Sequence, residues 1–279
     1  MFHLRPRRQV ARAALQRREV PSGATDGRVT GPGGAPDVGA PWALFLDFDG
    51  TLVDIAPTPS GVVVPPALPG RLARLRDRLG GALAIVTGRP IADVDAFLPG
   101  FDASGMHGLE RRVSGVISRP DFPALADEIE ALRQRLARFD RIIIEDKRIG
   151  VAVHWRTEPA AEAEARAAIA DLARTLGPPY RVQDGKAVSE IVPGGAHKGD
   201  GIRALLTTSP YAGRRPIFVG DDRTDEHGFA AVQALGGVAV KVGDGPTGAK
   251  RRVASVSMFA AVLDAWAEKG IDPDRLHPA

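Results

Sequence analysis

The sequence predicts an α/β fold: a parallel-sheet core with a second α/β block inserted into it. From Trp42 onward, short apolar runs alternate with amphipathic helical stretches, the alternation expected of a parallel sheet. It returns in the last third of the chain. Between the two halves, residues 112–192 differ in texture, with two long Ala/Leu/Arg/Glu stretches and three strand-like runs, enough for a domain of their own. The core is therefore expected at 42–111 and 193–270, and the inserted domain at 112–192.

Ahead of the core, residues 1–41 carry seven Arg against Glu19, Asp26 and Asp37, which accounts for more than the whole chain's net charge of +3. The body is left slightly acidic, so a polyanion-binding surface, and with it a nucleic-acid partner, is not expected. The basic stretch shares its Arg-richness with organelle transit peptides but lacks their Ser content. With the Gly/Pro-rich segment behind it, it reads as a solvated, flexible tail. In the core, LFL at 44–46 is a buried strand, 71–79 places Leu72, Leu75 and Leu79 at helical spacing, and 82–89 is a second apolar strand ending in a polar turn. The inserted block offers helices at 123–138 and 159–176 and strands in RIIIE, IGVAVHWR and AVSEIV. After it come a helix over 198–206, the strand PIFVG, a helix over 226–235 and the strand GVAVKVG.

Composition excludes several classes. The chain has no cysteine, so a metal must sit on oxygen or histidine. No apolar run approaches the roughly 20 residues of a membrane span. A soluble, cytoplasmic monomer without a membrane partner is expected.

Three core strands end in functional groups: Asp47 and Asp49 after LFL, Thr87 after LAIV, and Asp221 with Asp222 after IFVG. The carboxyl edge of an open parallel sheet is where ligands bind. Asp47, Asp49 and Asp221 would repel one another unless a hard divalent cation neutralised them, and all-oxygen ligation is what Mg²⁺ prefers. One such carboxylate can also act as a nucleophile, and a neighbour two residues on can pass protons. Thr87 offers a hydroxyl, and Lys198 an ammonium, for a phosphoryl group in transfer.

DFDGT at 47–51, VTGR at 86–89, HKGDGI at 197–202 and GDDRTDE at 220–226 resemble the four motifs of the haloacid-dehalogenase-like phosphohydrolases. The resemblance implies a Rossmannoid core and a cap domain inserted between the threonine and lysine motifs. It makes Asp47 the nucleophile and Asp49 the general acid/base. Thr87, with Gly88 beside it, and Lys198 bind the phosphoryl group. Asp47, Asp49 through its backbone carbonyl, and Asp221 form the Mg²⁺ site, with Asp222 and Asp225 behind it.

GMHGLE at 105–110, EDKRIGVAVHWR at 145–156, GKAVSEI at 185–191 and the run from GDDRTDEHGFAAV to GGVAVKVG further resemble the trehalose-6-phosphate phosphatase family. That implies trehalose 6-phosphate as substrate and a functional pairing with a trehalose-6-phosphate synthase. Glu145, Lys147, His154, Arg156, Lys186 and Glu190 are the candidate sugar ligands, since charged side chains on strands can bind hydroxyls in pairs. Strand alternation turns Trp155 away from its neighbours, into cap packing. Other readings are the same chemistry on sucrose phosphate or mannosyl-phosphoglycerate, or a non-catalytic module beside a synthase. The basic tail and TGAKRRV at 247–253 match no functional motif.

Overall fold

The computed structural model describes residues 41–147, 149–194 and 197–279, so the expectations for the basic tail, residues 1–40, lie outside it. Ala43 to Leu46 are each wholly buried, which makes the first strand, β1 (Trp42–Leu46), a central one. The chain crosses by α1 (Leu68–Arg78), with Leu68, Leu72 and Leu75 buried, to β2 (Leu83–Val86). It then crosses by α2 (Ile91–Asp95) to β3 (Asp102–Gly105), each strand parallel to the last. Next, β4 (Glu110–Val113) and β5 (Val116–Ser118) fold back antiparallel on the same sheet. The large sheet therefore runs to Ser118, past the boundary expected at 111/112. This edge hairpin turns at Ser114–Gly115, both at positive φ, and its last strand is exposed throughout, so it lacks the apolar run that marks a core strand.

The following segment builds a smaller sheet. It contains α3 (Ala126–Arg135), β6 (Ile143–Asp146), β7 (Val151–His154), α4 (Glu162–Leu176), β8 (Tyr180–Gly185) and β9 (Val188–Pro193), with antiparallel strand order β6-β7-β9-β8. Val151, Val153 and Trp155 pack with Ile129 and Leu132 of α3 and Ala165 and Ile169 of α4, in a hydrophobic cluster separate from that of the large sheet. The period of two then sends His154 and Arg156 to the opposite face. β8 was not foreseen from the sequence, because YRVQDG is half-exposed along its length and has no apolar alternation.

The chain returns through α5 (Lys198–Leu205), β10 (Arg215–Gly220), α6 (Glu226–Ala234), β11 (Val238–Val242), β12 (Arg251–Val253), α7 (Val256–Lys269) and β13 (His277–Pro278). The described residues form a nine-stranded sheet of order β13-β12-β11-β10-β1-β2-β3-β4-β5, parallel from β12 to β3. Part of TGAKRRV is thus a sheet strand. The chain winds outward in opposite directions from β1 and β10, and their carboxyl ends form the switch-point crevice where α/β sheets bind ligands. Among the described residues, no helix is long and apolar enough to cross a membrane.

Side chains of the loop before β10 tie it to the sheet, Arg214 through the Trp42 carbonyl at 3.1 Å and Tyr211 more deeply. Tyr211 is wholly buried, its ring is 5.5 Å from that of Phe45, and its hydroxyl lies 3.0 Å from the Leu83 carbonyl and 2.8 Å from the Asp102 carboxylate. Tyr211→Phe keeps the packing and strips the acceptors of their donor. It should cost about 1–3 kcal/mol, measurable as a loss in thermal unfolding. An unchanged melting temperature would mean that water replaces the hydroxyl.

Candidate active site

Two turns that follow parallel strands and the first residue of α5 supply the site. Asp47 follows β1, Asp221 follows β10, and Lys198 opens α5, from where its ammonium reaches back over the sheet edge. It donates to Asp47 Oδ1 at 2.7 Å and to Asp225 Oδ1 at 2.6 Å, with the lysine 3% and Asp225 0% exposed. Asp225 Oδ2 accepts the backbone N–H groups of Asp221 and Asp222 at 2.9 and 2.8 Å. Both Asp225 oxygens are therefore committed to shaping the turn and holding Lys198. Lys241 donates from behind to the Asp221 carbonyl.

The electrostatics follow from this crowding. Burial pushes the Asp47 carboxyl well above its ordinary range, and Asp225 adds to the effect, while Lys198 opposes it. Burial works against the charge of Lys198, but Asp225 and Asp47 outweigh it and raise its pKa. Burial also raises Asp221, against the pull of Lys186. Carboxylates so placed keep their charge only beside more positive charge.

A divalent cation fits that requirement. Asp47, Asp221 and Asp225 bring one carboxylate oxygen each within 4.8 Å of one another, and Asp221 Oδ1 is buried without a hydrogen-bond partner. Gly50, at φ +82°, leaves the room: a Cβ there would overlap the Asp221 carboxylate. Since Asp225 already accepts from Lys198 and two backbone N–H groups, while Asp47 and Asp221 each accept from one lysine, the last two are the carboxylates with most capacity left to bind. The Asp49 side chain is not in this cluster. It forms a two-pronged pair with Arg89, at 2.6 and 2.7 Å.

All twelve expected site residues line one cavity: Asp47, Asp49, Thr87, Gly88, Lys198 and Asp221 from the large sheet, and Glu145, Lys147, His154, Arg156, Lys186 and Glu190 from the small one. Their environments separate them. Glu145 and His154 pair at 2.7 Å, and Arg156 donates to the Lys186 carbonyl at 2.7 Å. Lys186 reaches across the cavity to Asp221 Oδ2 at 2.8 Å. Glu190 and Lys147 are buried and paired at 2.7 Å, and Lys147 also lies 3.4 Å from the Gly88 carbonyl. Trp155 is 2% exposed, on the helix side, as its alternation required.

Two residues of the site sat unrecognised inside motifs. One is Arg89 of VTGR. The other is His107 of GMHGLE, whose Nε2 lies 3.1 Å from Glu190 Oε1 and 2.7 Å from Gln183. A Cβ on Gly88 would come within 2.6 Å of the His107 ring, so that glycine is what lets the imidazole in. His107 itself adopts φ +56°, an uncommon conformation for a non-glycine residue and the kind of local strain found at working sites.

The His107–Glu190–Lys147 group joins the two sheets and should titrate. Burial would raise Glu190, but Lys147 and His107 hold its pKa far below the ordinary 4.5; burial lowers His107 below 6.5, against the pull of Glu190. Both folded pKa values lie below the unfolded ones, so the stability each contributes is complete above the unfolded pKa and lost as pH falls. Loss should begin below about pH 6.5 and deepen below 4.5. Glu190→Gln removes the carboxylate paired with buried Lys147, leaving only the more distant Glu145 to answer its charge, and should cost about 3–5 kcal/mol at neutral pH. The variant's melting temperature should also fall less steeply with acid than the parent's. Parallel curves would show that the group does not titrate with unfolding.

With this geometry in place, comparison with known proteins is informative. The family described as trehalose-phosphatase matches residues 45–258. The chain is 43% identical to a probable trehalose-phosphate phosphatase of Sinorhizobium fredii over 228 residues, 79% of this chain and 84% of that one. It is 40% identical to a trehalose-6-phosphate phosphatase of Escherichia coli, over 79% of this chain and 85% of that one. The crystal structure of a trehalose-6-phosphate phosphatase related protein superposes with a TM-score of 0.71 at 30% identity, covering 82% of this chain and 98% of that one. A divalent ion, which such phosphatases imply, matches the acidic cluster found here. The chain belongs to the trehalose-phosphatase family, phosphomonoesterases of the haloacid-dehalogenase-like fold.

Proposed function

We propose that the chain hydrolyses trehalose 6-phosphate to trehalose and phosphate with Mg²⁺ as the ion, the small sheet acting as a cap that reads the sugar. The observation that carries this is the composition of the cavity. One wall holds a carboxylate–lysine group suited to a phosphoryl unit, and the facing wall holds paired hydrogen-bonding side chains suited to hydroxyls. In the first half-reaction an Asp47 oxygen bonds to phosphorus as the bond to the sugar oxygen breaks, and the Asp49 carboxyl gives that oxygen its proton. In the second, water bonds to phosphorus and passes a proton to the Asp49 carboxylate, and the Asp47–phosphorus bond breaks. Lys198 and the Thr87 hydroxyl face the phosphoryl oxygens. Asp47, Asp221 and the Asp49 carbonyl would hold Mg²⁺, which when bound would supply positive charge for those oxygens.

On this reading the substrate comes from a trehalose-6-phosphate synthase, and the chain works as a cytoplasmic monomer. Phosphate release from a panel including trehalose 6-phosphate and sucrose phosphate, with and without Mg²⁺, tests the substrate and the ion together. Equal turnover of the two sugars would remove the specificity.

Asp47→Asn should abolish turnover, because an amide cannot attack phosphorus. The fold should persist, with the melting temperature within about 4 °C of the parent, since the change also relieves repulsion with Asp225 and Asp221. Near-parental activity would refute the assignment. Lys186→Ala tests the cap: its side chain is 52% exposed, so it adds little to stability, yet it faces the cavity. If Lys186 binds sugar, kcat/KM for trehalose 6-phosphate should fall roughly 30-fold or more, while that for an aryl phosphate holds. Equal losses on both would place its role at Asp221 instead.

A further inference from the structure

The Asp49 carboxylate is poised by a residue that no part of the reaction so far uses. The Arg89 guanidinium grips both of its oxygens, through Nε at 2.6 Å and Nη2 at 2.7 Å, and its remaining Nη1 donates to the Pro59 carbonyl at 2.9 Å. Its guanidinium carbon lies 5.4 Å from the Phe48 ring and 5.6 Å from the adjoining Phe97 ring, so it rests against a pair of aromatic side chains as well as being held by hydrogen bonds. The pair is lopsided in exposure: the Arg89 side chain is 10% accessible and that of Asp49 34%. Both residues border the cavity, and the carboxylate is the more open of the two, with the arginine largely covered.

From this arrangement we infer that Arg89 is the positioning residue for proton transfer, acting through Asp49 and touching no substrate itself. The inference rests on Asp49 being the acid/base of the proposed reaction. A carboxylate has about four acceptor sites, and a two-pronged arginine takes one on each oxygen. The other two stay open toward the cavity, where a proton can be given to the sugar oxygen and taken back from water. Without the Arg89 side chain, the short Asp49 side chain would rotate among its staggered positions, and the hydrogen bond from Arg89 to the loop that carries Pro59 would be lost. The Arg89 backbone N–H also donates to Thr87 Oγ1 at 3.1 Å, so the same residue couples the phosphoryl-binding turn to the acid/base. An ion pair kept for stability alone would not need its carboxylate half open to the cavity, and such pairs are often replaceable by apolar groups.

The test separates positioning from structure through the leaving group. kcat/KM is measured for parent, Arg89→Ala, Arg89→Lys, Asp49→Asn and the double variant Asp49→Asn/Arg89→Ala, on phenyl phosphate and p-nitrophenyl phosphate. The two esters differ little in shape, but nitrophenolate leaves without needing a proton. Arg89→Ala should lose about 100-fold on phenyl phosphate and less than about threefold on p-nitrophenyl phosphate. In the Asp49→Asn background the arginine change should add no further loss on either ester. Arg89→Lys keeps the charge without the fork and should show the same asymmetry at smaller size, and it carries the test if the alanine variant does not fold. Equal losses on both esters, or a further loss in the Asp49→Asn background, would overturn the inference. If Asp49→Asn itself shows no dependence on the leaving group, it is the acid/base assignment that fails.

Discussion

Carboxylates gathered at the end of a buried strand pair would be expelled by folding unless something answered their charge, and in this chain that is first of all Lys198. It lies almost closed to solvent between Asp47 and Asp225, and its position depends on α5 starting where the small sheet rejoins the large one. Asp225 makes the arrangement self-consistent. One of its oxygens holds the lysine, and the other holds the two amides that turn the chain after β10, fixing where Asp221 stands. The turn is therefore part of the electrostatics. Moving either charge would release the backbone that places the other.

The cavity has a second charged knot on its far side, and the two differ in what they can spare. Glu190, Lys147 and His107 are buried and mutually satisfied, which makes them the joint between the sheets. Groups so deeply committed have few hydrogen-bonding positions left for a sugar, and disturbing their buried pair is costly. Lys186, Arg156 and the Glu145–His154 pair are more exposed and can exchange partners at little cost. The proposed sugar recognition is thus better founded on these than on Glu190, although the sequence favours Lys186 and Glu190 together, because their spacing matches the family motif.

Legibility from sequence followed burial. β1, β2 and β10 carry continuous apolar runs, β11 is broken only by Lys241, and the polar groups at the ends of the first three could be placed at one sheet edge without coordinates. The edge hairpin β4–β5 and the strand β8 escaped notice because edge and half-exposed strands tolerate charge, which blurs the period of two. Within the site, the residues that attack or bind carry their chemistry in their type. Those that hold others do not. An arginine after Thr-Gly, or a histidine between Met and Gly, has several ordinary explanations until its partner from a distant strand is in view, and the partners here lie 40 and 83 positions away.

Lys186 adds a consequence that links the two sides. It stands 2.8 Å from Asp221, the carboxylate whose other oxygen lacks a partner, so a cap lysine supplies part of the positive charge that a divalent ion would bring. Ion and lysine therefore compete for the same neutralising role, because two cations crowded on one carboxylate repel. An ion bound at Asp221 would weaken the hold of Lys186 and free it to turn toward a hydroxyl in the cavity. Its 52% exposure leaves it room to do so.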